Sequence, residues 1–361
     1  MKIGIYGGSF DPIHKGHIKI ARYVINKLGL DKLLIVPSAT SPFKQKGKKA
    51  SNEDRRNMVQ LVLEDKMELC DFELRRGGVS YTIDTVKYLK QKYPNDELFL
   101  IIGSDHVSSL PSWKDIDLIS HLVRIVIVRR DRKINKINIK KYKGILLDNP
   151  IFEASSTDFK KGYFGLVDEK VANYIQEHSL YIEQLIHNNL SAKRAKHCVS
   201  TANFAAELAK AHKYDAKKAY LAGLMHDICK EYDDEQTLYL INKYEPELAE
   251  NLPKYKYHQT AGYVWAKYGY KLKDEEILNA ILCHTSMKDN MQWLDKILFI
   301  ADKICEGRRF PGIQKMRELC FKNFEQGFAQ VVEVTYQYNI DKGVKFSPDQ
   351  EKLYNKYRGN K

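Results

Sequence analysis

No Cys-x-x-Cys pair occurs in this chain; its six cysteines, Cys70, Cys198, Cys229, Cys283, Cys305 and Cys320, stand far apart. That scatter argues against a disulfide framework, and free, mostly core cysteines in a reducing compartment are the simplest reading. No apolar run approaches the length of a membrane span, and the first residues lack the basic-then-apolar layout of a secretory signal. The expectation is a cytoplasmic protein without a membrane partner. No Gly/Ser-rich linker separates parts of the chain. An RNA-binding motif and a basic-aromatic stripe are also missing, which argues against a specific nucleic-acid partner. The net charge of +13 suits anionic nucleotides. A lysine-rich genome bias would explain that charge equally well.

What is present fits two ordinary globular domains. The length, 361 residues, favours two, and 43% hydrophobic residues supply enough apolar material for their cores.

The most informative stretch is Gly7-Gly8-Ser9-Phe10-Asp11-Pro12-Ile13-His14-Lys15-Gly16-His17. It follows a short apolar strand pattern at Ile3 and Ile5. From Gly16 onward, Ile18, Ala21, Val24, Ile25 and Leu28 fall on one helical face. A strand, a Gly-rich turn and a helix N-terminus make an anion site of free N–H groups. The glycines are expected to supply the sharp turn and the close approach to a ligand. His14 and His17 at its edge can hydrogen-bond phosphate oxygens and stabilise charge growing on them.

This stretch resembles the signature of the nucleotidyltransferase superfamily. With histidine as the first member of His-x-Gly-His, it is similar to bacterial nicotinate-mononucleotide adenylyltransferase. The resemblance implies binding of ATP through Gly7, Gly8, Ser9 and Phe10, with Mg²⁺ on the phosphates and nicotinate mononucleotide as the acceptor. His14, His17 and Lys44 then carry the catalytic roles, Lys44 at the end of the loop after Leu33-Leu34-Ile35-Val36-Pro37. A solvated loop lysine is the alternative for Lys44.

Further matches follow along the chain. Ser80-Tyr81-Thr82-Ile83-Asp84-Thr85 resembles the family segment whose threonine lies near the dinucleotide product, which points to Thr82; a plain helix cap by Thr82 or Asp84 is the alternative. The apolar run Leu98 to Ile102 ends in Gly103-Ser104-Asp105, where the carboxyl end of a parallel strand suits Asp105 to a ribose or base. Trp113 matches the tryptophan against the nicotinate ring, or is ordinary core. Arg129 follows the strand pattern Ile125 to Val128. Ser155, Ser156 and Thr157 resemble the second family signature, with hydroxyls for phosphates; a simple helix N-cap is the alternative. Lys160 stands where arginine is usual, keeping the charge without the planar fork. The resemblance covers residues 1–183 and implies a doubly wound, Rossmann-like parallel α/β sheet.

From residue 184 strand signals vanish and long helical patterns take over, so an all-α domain is expected over 184–361. His197, His226-Asp227, His258, His284 and Asp302 recur in phase with apolar positions. An unpaired charge facing a core is costly, and metal coordination is the usual remedy. The layout resembles the dinuclear branch of the HD phosphohydrolase superfamily, and Gly223 to Lys230, Ala280 to Thr285 and Leu294 to Ile304 are similar to the bacterial symmetrical diadenosine-tetraphosphate hydrolases. That implies two transition-metal ions with Asp227 shared between them, iron by the resemblance although His and carboxylate ligands suit manganese, zinc or nickel equally, and cleavage of diadenosine tetraphosphate to two ADP. Other nucleotides, such as guanosine polyphosphates or deoxynucleotides, and a nucleotide-sensing regulatory role remain alternatives for this half. The tail from Pro348 is expected to be polar and frayed. A homo-oligomer is compatible with this reading.

Overall fold

The computed structural model describes residues 1–40, 49–130 and 134–359. The chain forms two compact units, Met1–Tyr181 and Ile182–Lys361. Among the described residues no helix is long and apolar enough to cross a membrane.

The first unit is built on a parallel sheet of six strands among the described residues: β1 Lys2–Gly8, β2 Lys32–Pro37, β3 Met67–Leu69, β4 Glu97–Gly103, β5 Arg124–Val128 and β6 Ile145–Leu146. Their order is β3-β2-β1-β4-β5-β6. The chain therefore lays β2 and β3 to one side of β1, then returns and lays β4, β5 and β6 to the other. The order reverses between β1 and β4, and such a switch point opens a crevice at the carboxyl ends of the strands. Ile3 and Ile5 of β1 pack with Leu98, Leu100 and Ile102 of β4 and Ile125 and Ile127 of β5 in a single apolar core. Strands buried on both faces need this near-continuous aliphatic pattern.

The helix Lys15–Leu28 follows β1 and ends at Gly29, whose φ of 59° gives the left-handed cap that glycine tolerates. The turn before it differs from the expectation. Gly7 and Gly8 both belong to the extended strand β1, and the left-handed residue is Phe10, with φ 45°. Gly8 has another use: the Phe10 ring lies 2.9 Å from where a Cβ would stand. Arg55, only 1% exposed, donates to the carbonyls of Ser9 and Ser38, each at 2.7 Å. It thereby ties together the segments that leave β1 and β2.

The second unit is helical throughout its described residues. Ser191 caps the long helix Ala192–Ala211, which packs against Ala216–Met225. A Cβ at Gly223 would stand 2.5 Å from the Ala202 backbone, so small residues set this close crossing. Around the pair lie Tyr257–Val264, Glu275–Cys283, Trp293–Ile304 and Phe324–Asp341.

The tail is not frayed. Pro348–Tyr357 forms a helix, with Ser347 and Gln350 in a reciprocal cap and proline at its start. Its Tyr354 is buried, and Tyr357 donates to the Lys288 carbonyl at 3.1 Å. Polar composition concealed a tyrosine face that packs.

Candidate functional site

In the first unit part of the predicted set, Gly7, Gly8, His14, His17, Gly103 and Asp105, lies at or follows the carboxyl ends of β1 and β4. His14 and His17 flank the start of the helix Lys15–Leu28, with their rings stacked at 3.6 Å between centroids. The His14 backbone N–H donates to His17 Nδ1 at 3.2 Å. That bond leaves the ring proton of neutral His17 on Nε2. Burial lowers the pKa of His14 to about 4, with help from the Arg130 charge. Burial, His14 and Arg130 push His17 well below the ordinary histidine value. Both rings are thus neutral at pH 7. Gly16 lets them sit this close, because a Cβ there would stand 3.0 Å from His14 Nδ1 and from Ala154.

The guanidinium beside this pair belongs to Arg130, which the sequence reading had not singled out. Arg130 bonds Asp105 at 3.2 Å, and its backbone N–H donates to Ser104 Oγ at 2.9 Å. A Cβ at Gly103 would collide with both Asp105 and Arg130. Arg129 is exposed, and its backbone is held by the Asn149 side chain instead. Arg130 is exposed as well, and both arginines follow the end of β5.

Other candidates are more scattered. Thr82 is the first residue of the helix Thr82–Lys92; Tyr81 holds the cap position without a side-chain bond, and Asp84 pairs with Arg76. Neither Thr82 nor Asp84 therefore caps this helix. Trp113 is half-buried against the sheet core, 6.1 Å from the His106 ring. The Ser155 hydroxyl accepts from Asp158 N–H and donates to its carboxylate, while Ser156 donates to the Pro12 carbonyl. Thr157 is exposed. Lys160 pairs with the buried Asp11 at 2.6 Å, and Asp11 also accepts from Tyr181 at 2.8 Å. Lys44 lies outside the described residues.

In the second unit all six predicted ligands meet. Asp227, 3% exposed, stands between four imidazoles. Its Oδ2 lies 3.5 Å from His226 Nε2 and 3.9 Å from His197 Nε2. Its Oδ1 lies 3.6 Å from His284 Nε2 and 3.7 Å from His258 Nε2. Asp302 closes the first side, with Oδ1 3.0 Å from His197 and 3.7 Å from His226. His197, His226 and Asp227 make one group able to hold a metal ion, and Asp227, His258 and His284 make a second. One carboxylate is common to both.

The donor set fits divalent metal ions. His226 Nδ1 donates to the Gly223 carbonyl and His284 Nδ1 to the Ile281 carbonyl, which turns each Nε2 lone pair toward Asp227. His226 Nε2 is fully buried and has no hydrogen-bond partner. Burial lowers the pKa of His284, and burial with the His284 and Lys230 neighbours lowers that of His258 to about 2. Both rings stay neutral, as ligands must. Cations that the sequence reading missed surround the cluster: Arg194 bonds Asp227 at 2.8 Å, and Lys303 and Arg308 bond Asp302 at 2.6 and 3.1 Å. They line a cavity of about 1040 Å³.

The parallel sheet with its histidine pair, and the helical unit with its shared aspartate, define a nucleotidyltransferase-like part joined to an HD domain. Residues 5–162 match the family described as Cytidylyltransferase-like, and residues 194–306 match the HD domain. The "Probable nicotinate-nucleotide adenylyltransferase/Ap4A hydrolase" of Mycoplasma pneumoniae is 32% identical over 314 residues, covering 83% of this chain and 87% of that protein. The protein of the same name in Mycoplasma genitalium is 32% identical, covering 94% of this chain and 99% of its own length. The first unit is also similar to the nicotinate-nucleotide adenylyltransferase of Bacillus subtilis, 37% identical over 50% of this chain and 98% of that enzyme. The chain belongs to the family of these fused two-part proteins.

Proposed function

We propose that the first unit transfers an adenylyl group from ATP to nicotinate mononucleotide, giving nicotinate adenine dinucleotide and pyrophosphate. The stacked, neutral His14–His17 pair at the switch point carries this reading. An oxygen of the mononucleotide phosphate attacks the α-phosphorus of ATP, the bond to the bridging oxygen breaks, and pyrophosphate leaves. Such a transfer needs positioning and charge neutralisation rather than a protein nucleophile. His17 offers its Nε2–H to a phosphate oxygen, and Arg130 brings a fixed positive charge beside it. Mg²⁺ arriving on ATP shares the neutralisation, and Lys44 is assigned to the same phosphates by resemblance.

The second unit is proposed to hydrolyse diadenosine tetraphosphate to two ADP. The observation that carries it is the Asp227 carboxylate, with each oxygen facing two imidazoles. His197, His226, Asp227 and Asp302 would hold one divalent ion and Asp227, His258 and His284 the other, with iron the metal that the resemblance implies. Bound there, such ions supply an acidified water for attack on phosphorus and neutralise the leaving phosphate. Arg194, Lys230, Lys303 and Arg308 orient the polyphosphate in the cavity.

The test is a double dissociation in the full chain. His17→Ala should lower dinucleotide synthesis about a hundredfold and keep hydrolysis, while Asp227→Ala should do the reverse. Loss of both activities in either variant would refute separate sites.

A further inference from the structure

The cavity beside the metal cluster is chemically mixed. One part of the lining carries Arg194, Lys230, Lys303 and Arg308 around Asp227 and Asp302. Another part of the lining brings the aromatic and apolar Tyr338, Val344 and Phe346, the last from the segment that leads into the last helix, beside the polar Asn339, Asp341, Lys345 and Gln350. Tyr338 is 61% exposed and Val344 42%. Phe346, by contrast, is braced. It stacks on Tyr336 at 5.3 Å and lies 4.8 Å from the buried Tyr354 ring, while the Arg358 guanidinium sits 4.2 Å from the Tyr336 ring. A ring braced by neighbouring aromatics and lining the cavity offers a preformed stacking face. These residues also lie beyond the segment 194–306 that matches the HD domain.

A ligand that complements both parts has an anionic chain at one end and a flat, weakly polar ring system at the other. About 1040 Å³ is at the upper limit of ordinary small-molecule sites, more than phosphates alone would need. We infer that Tyr338 and Phe346 form a nucleobase subsite, which takes one base of a nucleotide whose phosphates reach the metal cluster. This rests on the hydrolase reading of the same cavity and adds to it which surface selects nucleotides over bare polyphosphates. Every base has a π-face, so stacking there gives affinity with little discrimination between bases. The role is binding, so it acts mainly on KM.

Two readouts on the metal-loaded full chain test the inference. In the first, 8-azido-ADP is photolysed with the protein and labelled peptides are mapped. Label is expected between residues 335 and 354, and excess ADP should remove it. Label on peptides of the first unit reports the other nucleotide site and does not count. In the second, diadenosine tetraphosphate hydrolysis is followed in Tyr338→Ala and Phe346→Leu. KM should rise roughly tenfold, with kcat changed less than threefold. Tyr239→Ala, which removes a ring 68% exposed on the helix Asp234–Tyr244, should leave KM unchanged. Unchanged KM in both subsite variants, or no label in 335–354 while hydrolysis proceeds, overturns the subsite. Label in 335–354 from a protein without metal-dependent hydrolysis would keep the subsite and refute the hydrolase reading instead.

Discussion

Arg130 reaches back over Gly103 to bond the Asp105 carboxylate at 3.2 Å, and its charge opposes protonation of His14 and His17. The bond leaves both groups about two-fifths exposed, so a ligand can still reach them. Arg130→Ala should lower kcat/KM for adenylyl transfer about a hundredfold, the scale for losing one charge-stabilising donor. Arg129→Ala, at the exposed neighbour, should change it less than threefold. Steady-state kinetics on both variants checks this, and equal losses would show that the roles are not divided in this way.

The histidine pair also has a titration signature. Burial and the Arg130 charge both oppose the imidazolium, so His14 titrates at about 4 rather than near 6.5. NMR of the ring protons should show neither His14 nor His17 titrating between roughly pH 5.5 and 8. Arg130→Ala removes a repelling cation, so the midpoints move up, though burial keeps them below the ordinary value. Between 6.5 and about 4 the unfolded chain binds more protons at His14 than the folded one. His14 therefore contributes stability that is complete above 6.5 and is lost as pH falls through that window. A midpoint near 6.5 in the wild type would contradict this account.

Much of both candidate sites was legible because side-chain type and helical phase coincide there. His197, His226, His284 and Asp302 each sit where an apolar residue belongs, and the fold brings all four around Asp227. His14 and His17 stood out through the Gly-rich turn before them and the resemblance of the whole stretch to a known signature. Other features depended on geometry without a sequence period. Which of two consecutive arginines meets Asp105 depends on where β5 ends. The turn after β1 falls on Phe10 because its ring packs over Gly8. Lys160, read as a phosphate ligand, meets the buried Asp11, a residue 149 positions away. No sequence pattern singles out Arg194, Lys303 and Arg308, and only the fold places them on the two acids.

The tail offers a stability prediction. Tyr354 is 6% exposed and packs against Phe346 and Tyr336. Tyr354→Ala should cost about 3 kcal/mol, as loss of a buried aromatic ring does. Denaturant unfolding of the full chain should show the transition of the second unit move and that of the first stay. A change below about 0.5 kcal/mol would mean that the last helix does not belong to this core.

The most direct measurement is product analysis of diadenosine tetraphosphate after incubation with the purified full chain and a divalent metal. Cleavage of the central bridge gives ADP as the sole nucleotide product. Chelation or Asp227→Ala should abolish it, because that carboxylate is common to both candidate metal groups. AMP together with ATP would show asymmetric cleavage, and ADP formation that survives both chelation and Asp227→Ala would contradict the metal centre itself.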